Sequence, residues 1–153
     1  MKGRSMIPDI RKLTGAAFLA VAACGAGPEI QPPAQTGVQL SITGAANMNG
    51  GAPAKVKVYY LSDAAAFRAA DFFAVFDTPD VTLGADLVAV SEFQLAPGRT
   101  VTDTKTFATP PAAVGVVAAF RDIDGTFLAV KPLVPNALNP TRITLSGNSV
   151  TIR

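Results

Sequence analysis

The sequence contains no histidine, no tryptophan and a single cysteine, Cys24. Without histidine the chain cannot build a Ser-His-Asp or Cys-His catalytic arrangement, and it lacks the usual general base near neutral pH. A single cysteine excludes an intramolecular disulfide. We therefore expect a protein that is not an enzyme and that uses no metal or dissociable cofactor.

Charged residues are also scarce, at 16% of the chain. Four of the 13 basic residues and one of the 11 acidic residues precede Cys24, which leaves nine and ten after it. A nearly neutral remainder does not favour nucleic-acid binding, which requires a basic surface. We expect no nucleic-acid partner.

Residues 1–23 have the pattern of an export signal. Basic residues up to Lys12 precede an apolar stretch that starts at Leu13 and ends in small residues before Cys24. This stretch of about 11 residues is roughly half the length of a membrane-spanning helix, so we predict a removable signal peptide.

The segment Val21-Ala-Ala-Cys24 resembles the bacterial lipobox. The resemblance implies that Cys24 carries a diacylglyceryl group and, after cleavage, an N-acyl chain such as palmitate. It also implies outer-membrane sorting, because Gly25 stands where an Asp would retain the protein at the inner membrane. The alternative is an ordinary buried cysteine behind a plain signal peptide. Residues 24–37 are rich in proline and predict a flexible spacer.

Residues 38–153 predict a mainly β domain. Val38, Leu40 and Ile42 alternate with polar residues, as in a strand with one buried face. The Thr-rich segment 100–107 is typical of an edge strand, whereas the unbroken apolar run 114–120 predicts a central strand that is covered on both faces. Further strands are predicted at residues 55–61, 87–95, 126–130, 141–146 and 149–153. About eight strands at this spacing predict a β-sandwich.

One helix is predicted within the strands, at residues 64–76, since this segment is rich in alanine and follows a possible Ser62-Asp63 cap. We expect its phenylalanines to seal it onto a sheet. Lys55 and Lys57 are expected to be solvated. Asp122 and Asp124 are interpreted as parts of a hairpin turn rather than a calcium loop, and Asp77 and Asp80 as a helix end and a turn.

Residues 45–54 are too long for a hairpin turn and rich in Asn and Gly. We expect a protruding, irregular loop that contributes little to stability. Such a loop is either a binding element or a plain connector.

Several short motifs recur in an order and spacing that resemble the TssJ/VasD (SciN) family, the outer-membrane lipoproteins of the type VI secretion system. They are the lipobox, Leu40-Ser-Ile-Thr, Asn47-Met-Asn, Lys57-Val-Tyr-Tyr-Leu61, Phe67-Arg-Ala-Ala-Asp71, Leu95-Ala-Pro-Gly98 and Val114-Gly-Val-Val-Ala-Ala-Phe-Arg-Asp122. The resemblance implies a transthyretin-like β-sandwich with an added helical element, anchored by lipid to the outer membrane and facing the periplasm.

The resemblance also implies a partner, the periplasmic C-terminal domain of the inner-membrane protein TssM, and TssL indirectly through TssM. In the family, the loop between the first two strands contacts this partner. The resemblance therefore implies that the partner-binding residues are Ala45, Ala46, Asn47, Met48, Asn49, Gly50 and Gly51. The competing hypothesis is an envelope lipoprotein that binds carbohydrate or another small ligand. Aromatic exposure separates the two, and strand alternation predicts that at most one of Tyr59 and Tyr60 is exposed.

Overall fold

Two four-stranded β-sheets face each other across a shared core. The computed structural model describes residues 25, 27, 28, 30 and 34–153, so the predicted signal peptide and Cys24 lie outside the described residues. The prediction of a mainly β fold with about eight strands is confirmed. The strands are β1 (Thr36–Gly44), β2 (Ala54–Leu61), β3 (Leu87–Leu95), β4 (Thr100–Phe107), β5 (Ala113–Ala119), β6 (Leu128–Pro132), β7 (Leu138–Ser146) and β8 (Ser149–Ile152).

The strand order is β4-β1-β7-β8 in the first sheet and β3-β2-β5-β6 in the second. Strand β1 runs parallel to β7, and the other pairs are antiparallel. The Thr-rich strand β4 lies at an edge, as predicted. This topology gives the sandwich two ends: the N-terminal end, where the chain enters β1, and the loop end, which carries the connections β1–β2, β5–β6 and β7–β8.

Alternating residues of both sheets form the main core. Val38, Leu40 and Ile42 of β1 are fully buried against Val56 and Val58 of β2. A second apolar layer lies on the outer face of the second sheet, where Tyr59 and Val117 pack beneath the helical segment. Strand β5 contributes to both layers, which confirms the prediction that it is covered on both faces.

The helical segment differs from the single helix predicted at residues 64–76. It consists of α1 (Ala65–Ala69), α2 (Phe72–Asp77) and α3 (Pro79–Leu83). Ala70 is extended at φ −76° and ψ 144°, and the Asp71 side chain caps α2 by accepting a hydrogen bond of 2.9 Å from the Ala74 amide. Among the described residues, no helix has the length and apolar character needed to cross a membrane.

Side chains of the sheet complete the end of α2. The Tyr59 hydroxyl donates to the Val75 carbonyl, and Lys57 Nζ donates to the Phe76 carbonyl, both at 2.8 Å. The last carbonyls of a helix otherwise lack partners, so these bonds stabilise the C-terminal end of α2. The expectation that Lys57 is solvated is wrong, because its side chain is only 13% exposed and its ammonium lies 4.4 Å from the Phe76 ring centre.

Candidate functional site

The connection between β1 and β2 is an ordered turn at the loop end. Residues Met48–Gly51 form a 3-10 turn in which Asn49, Gly50 and Gly51 have positive φ angles of 49°, 61° and 80°. Backbone hydrogen bonds tie the connection to the neighbouring β7–β8 hairpin, from Ala45 N to Leu145 O and from Asn49 N to Gly147 O, both at 2.8 Å. The backbone is irregular, as expected, but the connection does not simply protrude, because it is bonded to the neighbouring hairpin.

Asn49 holds the turn through both ends of its amide group. Its Nδ2 donates to the Pro53 carbonyl at 2.8 Å, and its Oδ1 accepts from the Arg121 amide at 2.7 Å. Only 4% of the residue is exposed. Asparagine tolerates the left-handed conformation because its short side chain can hydrogen-bond locally. Asn49 thus links the β1–β2 connection to the β5–β6 connection.

Met48 is the apolar anchor of the same turn. It is fully buried in the main core. It also packs against Gly44, where an added Cβ would lie 2.3 Å from the Met48 sulfur. The connection therefore contributes to the core as well as to the surface, contrary to our expectation that it adds little to stability.

The remaining residues of the predicted binding set face outward. Ala46, Asn47, Gly50 and Gly51 are exposed and Ala45 is half-buried. Asn47 Oδ1 accepts a hydrogen bond of 3.2 Å from the Ser146 hydroxyl. The structure thus separates the set into an outer group, which can contact another molecule, and the two buried residues Met48 and Asn49, which hold that group in place.

Three connections meet at a concave surface at the loop end. It is lined by Asn47, Asn49, Gly50, Arg121, Asp122, Gly147 and Asn148. Arg121, Asp122 and Asn148 were not predicted to lie at this surface. Asp-Gly and Gly-Asn turn signals mark their loops, but only the strand pairing shows that these loops share one end with residues 45–53.

The chemistry of this surface is that of recognition. Exposed glycine backbone, the Asn47 amide and the side chains of Arg121 and Asp122 offer hydrogen-bond donors and acceptors to a protein surface. Among the residues that the structure describes, no group of three or more His, Cys, Asp or Glu side chains could hold a metal ion. Between the β5–β6 and β7–β8 connections, Asn148 Nδ2 donates a hydrogen bond of 3.3 Å to Asp124 Oδ1.

A family model for type VI secretion lipoproteins, described by the names VasD, EvfM and TssJ, matches residues 36–148. The chain belongs to this family. The match covers strands β1 to β7 and ends just before β8. No curated protein matches the chain.

Solved structures agree with the family assignment. The lipoprotein is 33% identical to TssJ1 from Pseudomonas aeruginosa, a type VI lipoprotein, with a TM-score of 0.74 over 78% of this chain and 95% of that one. The fold is shared with Serratia marcescens Lip, a membrane-bound component of the type VI system, at 23% identity, a TM-score of 0.71, and coverage of 78% and 96%.

A third similar chain occurs in a structure of the TssM C-terminal domain (residues 869–1107) from EAEC. It is 26% identical, with a TM-score of 0.64 over 76% of this lipoprotein and 97% of that chain.

No observation favours the carbohydrate-binding hypothesis. Tyr59 and Tyr60 are both fully buried, so neither offers a platform for a sugar ring. Of the aromatic side chains that the structure describes, Phe73 is the one that is largely exposed, at 62%. Burial raises the pKa of Tyr60 to about 12 and raises that of Tyr59 as well.

The strongest charge cluster of the described residues is structural. Glu92 lies 3.1 Å from Lys57 and 3.4 Å from Lys55, on the outer face of β2 and β3. The hydrogen bond from Lys57 and its positive charge hold the pKa of the Glu92 carboxyl below its usual range. This cluster joins the helical segment to the sheet through Lys57.

Proposed function

We propose that this lipoprotein is anchored to the outer membrane through acyl chains on Cys24 and that its loop end binds the periplasmic C-terminal domain of a TssM-like inner-membrane protein. In that role it is a structural component and not an enzyme, and any link to TssL is indirect, through TssM. The observation that carries the proposal is the ordered turn at residues 45–53. Its buried residues Met48 and Asn49 hold the exposed backbone and amide groups of the turn in place.

Two relatives support the choice of partner. Similar chains occur in a structure of a type VI membrane complex, at 27% identity, and in the structure of the TssM C-terminal domain. Family membership makes an equivalent assembly the most direct function for this chain. The match in both cases covers 76% of the lipoprotein and 97% of the other chain.

The geometry of the sandwich supports the orientation. The chain enters β1 at Thr36 and reaches the turn after Gly44, nine residues later. A strand advances about 3.3 Å per residue, so the loop end lies roughly 30 Å from the N-terminal end. A lipid attached upstream of Thr36 therefore joins the domain at the end opposite the loop end, which leaves the loop end free for a partner that arises from the inner membrane.

A titration of the periplasmic TssM-like fragment tests the binding surface. Ala46→Arg places a long charged side chain on the exposed turn, and Ala69→Arg introduces the same change on the exposed surface of α1. We expect Ala46→Arg to weaken binding at least tenfold, which corresponds to about 1.4 kcal/mol. We expect Ala69→Arg to bind like the unmodified protein. Equal affinities of both variants would move the binding surface away from residues 45–53.

Replacement of Cys24 tests the anchor. We expect Cys24→Ser to abolish labelling with a palmitate analogue and to release the protein from the outer-membrane fraction, since the chain has no second cysteine. Label that persists on the variant, or unchanged fractionation, would refute acylation at Cys24.

A further inference from the structure

The N-terminal end of the sandwich carries an exposed apolar surface, which we call the apolar rim and define by Val134, Leu138, Ala108 and Pro110. Val134 is 62% exposed and Leu138 is 59% exposed. Ala108 and Pro110 are also exposed and line a groove together with Ala34 and Gln35. The rim surrounds the point at which the chain enters β1.

The structure holds the rim rigidly. Asn139, which is 5% exposed, accepts a hydrogen bond of 2.8 Å from the Val134 amide and donates to the Val134 and Ala137 carbonyls at 3.0 Å. Its Nδ2 also lies 3.1 Å from the Gly37 carbonyl. The buried Asn139 side chain therefore fixes the backbone of Val134, so the exposed Val134 side chain belongs to an ordered segment.

Leu138 is presented in a similar way. It pairs with Gly37 across β1 and β7, and its Cδ1 lies 3.0 Å from the position that a Cβ of Gly37 would occupy. Because Gly37 has no side chain, Leu138 can lie over β1 at the place where the spacer joins the strand. Both aliphatic residues are thus fixed next to the tether.

Charge distinguishes this surface from the loop end. The segments 34–36, 108–112 and 133–138 contain no charged residue, whereas the loop end exposes Arg121, Asp122 and Asp124. Asp63 and Asp86 lie at the same end as the rim but belong to the helical segment beside β2 and β3. Lys131, whose ammonium donates to the Pro140 carbonyl, is a positive charge beside this surface. A surface of exposed aliphatic, proline and amide groups next to a lysine is suited to the interface of a lipid bilayer.

We infer that the apolar rim rests on the phospholipid surface of the membrane that holds the anchor, an inference that rests on the proposed acylation of Cys24. Eleven residues separate Cys24 from Thr36 and span at most about 40 Å when fully extended, so the rim always stays near the bilayer. Such tethering gives a weak surface a high effective concentration, which allows binding that the free domain would not show. Contact at the rim orients the loop end away from the membrane.

The chain from Cys24 to Arg153 provides a direct test, because it contains one thiol and no tryptophan. The Cys24 thiol is coupled to a maleimide phospholipid in vesicles of phosphatidylethanolamine and phosphatidylglycerol, with or without brominated acyl chains. Leu138→Trp reports on the rim, and Ile123→Trp, which replaces another exposed aliphatic residue at the loop end, is the matched control. We expect a blue shift and a loss of emission with brominated lipid for Leu138→Trp and neither change for Ile123→Trp.

A second reporter tests whether the tryptophan of Leu138→Trp itself causes the membrane contact, because this reporter lies beside the rim and not on it. Thr109→Trp lies in the exposed β4–β5 connection, and we expect its quenching to disappear when Val134→Asp and Leu138→Asp are added. Equal emission of Leu138→Trp and Ile123→Trp on both vesicles, or quenching of Thr109→Trp that survives the two aspartates, would overturn the inference and leave the rim as a protein interface. Chemical coupling makes this result independent of enzymatic acylation, which the palmitate labelling of Cys24 tests separately.

Discussion

Asn49→Ala should be one of the most damaging substitutions in the β1–β2 connection, although it lies in a segment that has the composition of a surface loop. The Asn49 amide bonds the Pro53 carbonyl at 2.8 Å and the Arg121 amide at 2.7 Å, and the residue is almost completely buried. Losing these two bonds should destabilise the protein by about 2 kcal/mol, since their partners stay partly shielded from water.

The backbone adds to this loss. Asn49 has a φ of 49°, a conformation that disfavours alanine by about 1 kcal/mol. We therefore expect Asn49→Ala to lower the free energy of unfolding by about 3 kcal/mol and the melting temperature by roughly 10 °C. Urea unfolding followed by circular dichroism measures the first quantity, and a thermal scan measures the second.

Three further variants separate the contributions. Asn49→Gly removes the side-chain bonds but accepts the positive φ, so it should recover about 1 kcal/mol relative to Asn49→Ala. Asn49→Asp keeps the acceptor for the Arg121 amide but turns a carboxylate oxygen towards the Pro53 carbonyl in a buried site, so it should be at least as harmful as Asn49→Ala. Asn47→Ala, an exposed change two residues away, should alter stability by less than about 0.5 kcal/mol. If Asn49→Ala proves no more harmful than Asn47→Ala, the inference that the buried Asn49 side chain stabilises the β1–β2 connection is refuted.

Three other predictions concern the core. Val117→Asp buries a carboxylate beneath the helical segment, where Val117 is fully buried, and should lower the free energy of unfolding by several kcal/mol, enough to prevent recovery of folded protein as judged by circular dichroism. Gly115→Ala places a Cβ 2.5 Å from the Phe67 ring and should destabilise the domain by about 1 to 3 kcal/mol in urea unfolding; an unchanged midpoint would mean that Phe67 is not seated as described. Burial raises the pKa of Tyr60 to about 12, so the neutral phenol is favoured in the folded state. That contribution to stability is complete below the ordinary pKa of about 10 and is lost as pH rises towards 12. Phenolate absorbance should therefore appear only above pH 10 in the folded protein and near pH 10 in urea, and an ordinary titration of the folded protein would contradict the burial of both tyrosines.

Much of the fold can be predicted from local sequence patterns. Strands β3 and β4 have the predicted bounds, and the edge position of β4 and the double burial of β5 follow from a Thr-rich segment and an unbroken apolar run. These patterns succeed because alternation and continuous hydrophobicity report directly on which faces of a strand are buried. The β-sandwich was predictable at this level, and the order and spacing of the short motifs indicated the family.

The break in the helical segment was not predictable in the same way. Alanine favours a continuous helix at residues 64–76, but Ala70 is extended and the Asp71 side chain begins α2 as its N-cap. The two short helices pack on the second sheet through Phe67 and Val75, and this tertiary packing overrides the helix propensity of the segment. From the sequence alone Lys57 is interpreted as a solvated lysine, because the Phe76 ring and Glu92 become its neighbours only in the folded domain.

For the candidate site, the sequence by itself determined where the chain is overlong and rich in Asn and Gly, and it located the single cysteine that can carry a lipid. Only the tertiary structure decided that Met48 and Asn49 face inward while Asn47 and Gly50 face outward, and that Arg121 and Asn148 join them. The physical reason is that a turn has no fixed period: without the alternation of a strand or the repeat of a helix, which side chains of a turn are buried depends on the neighbouring loops that the sheet topology brings to the same end.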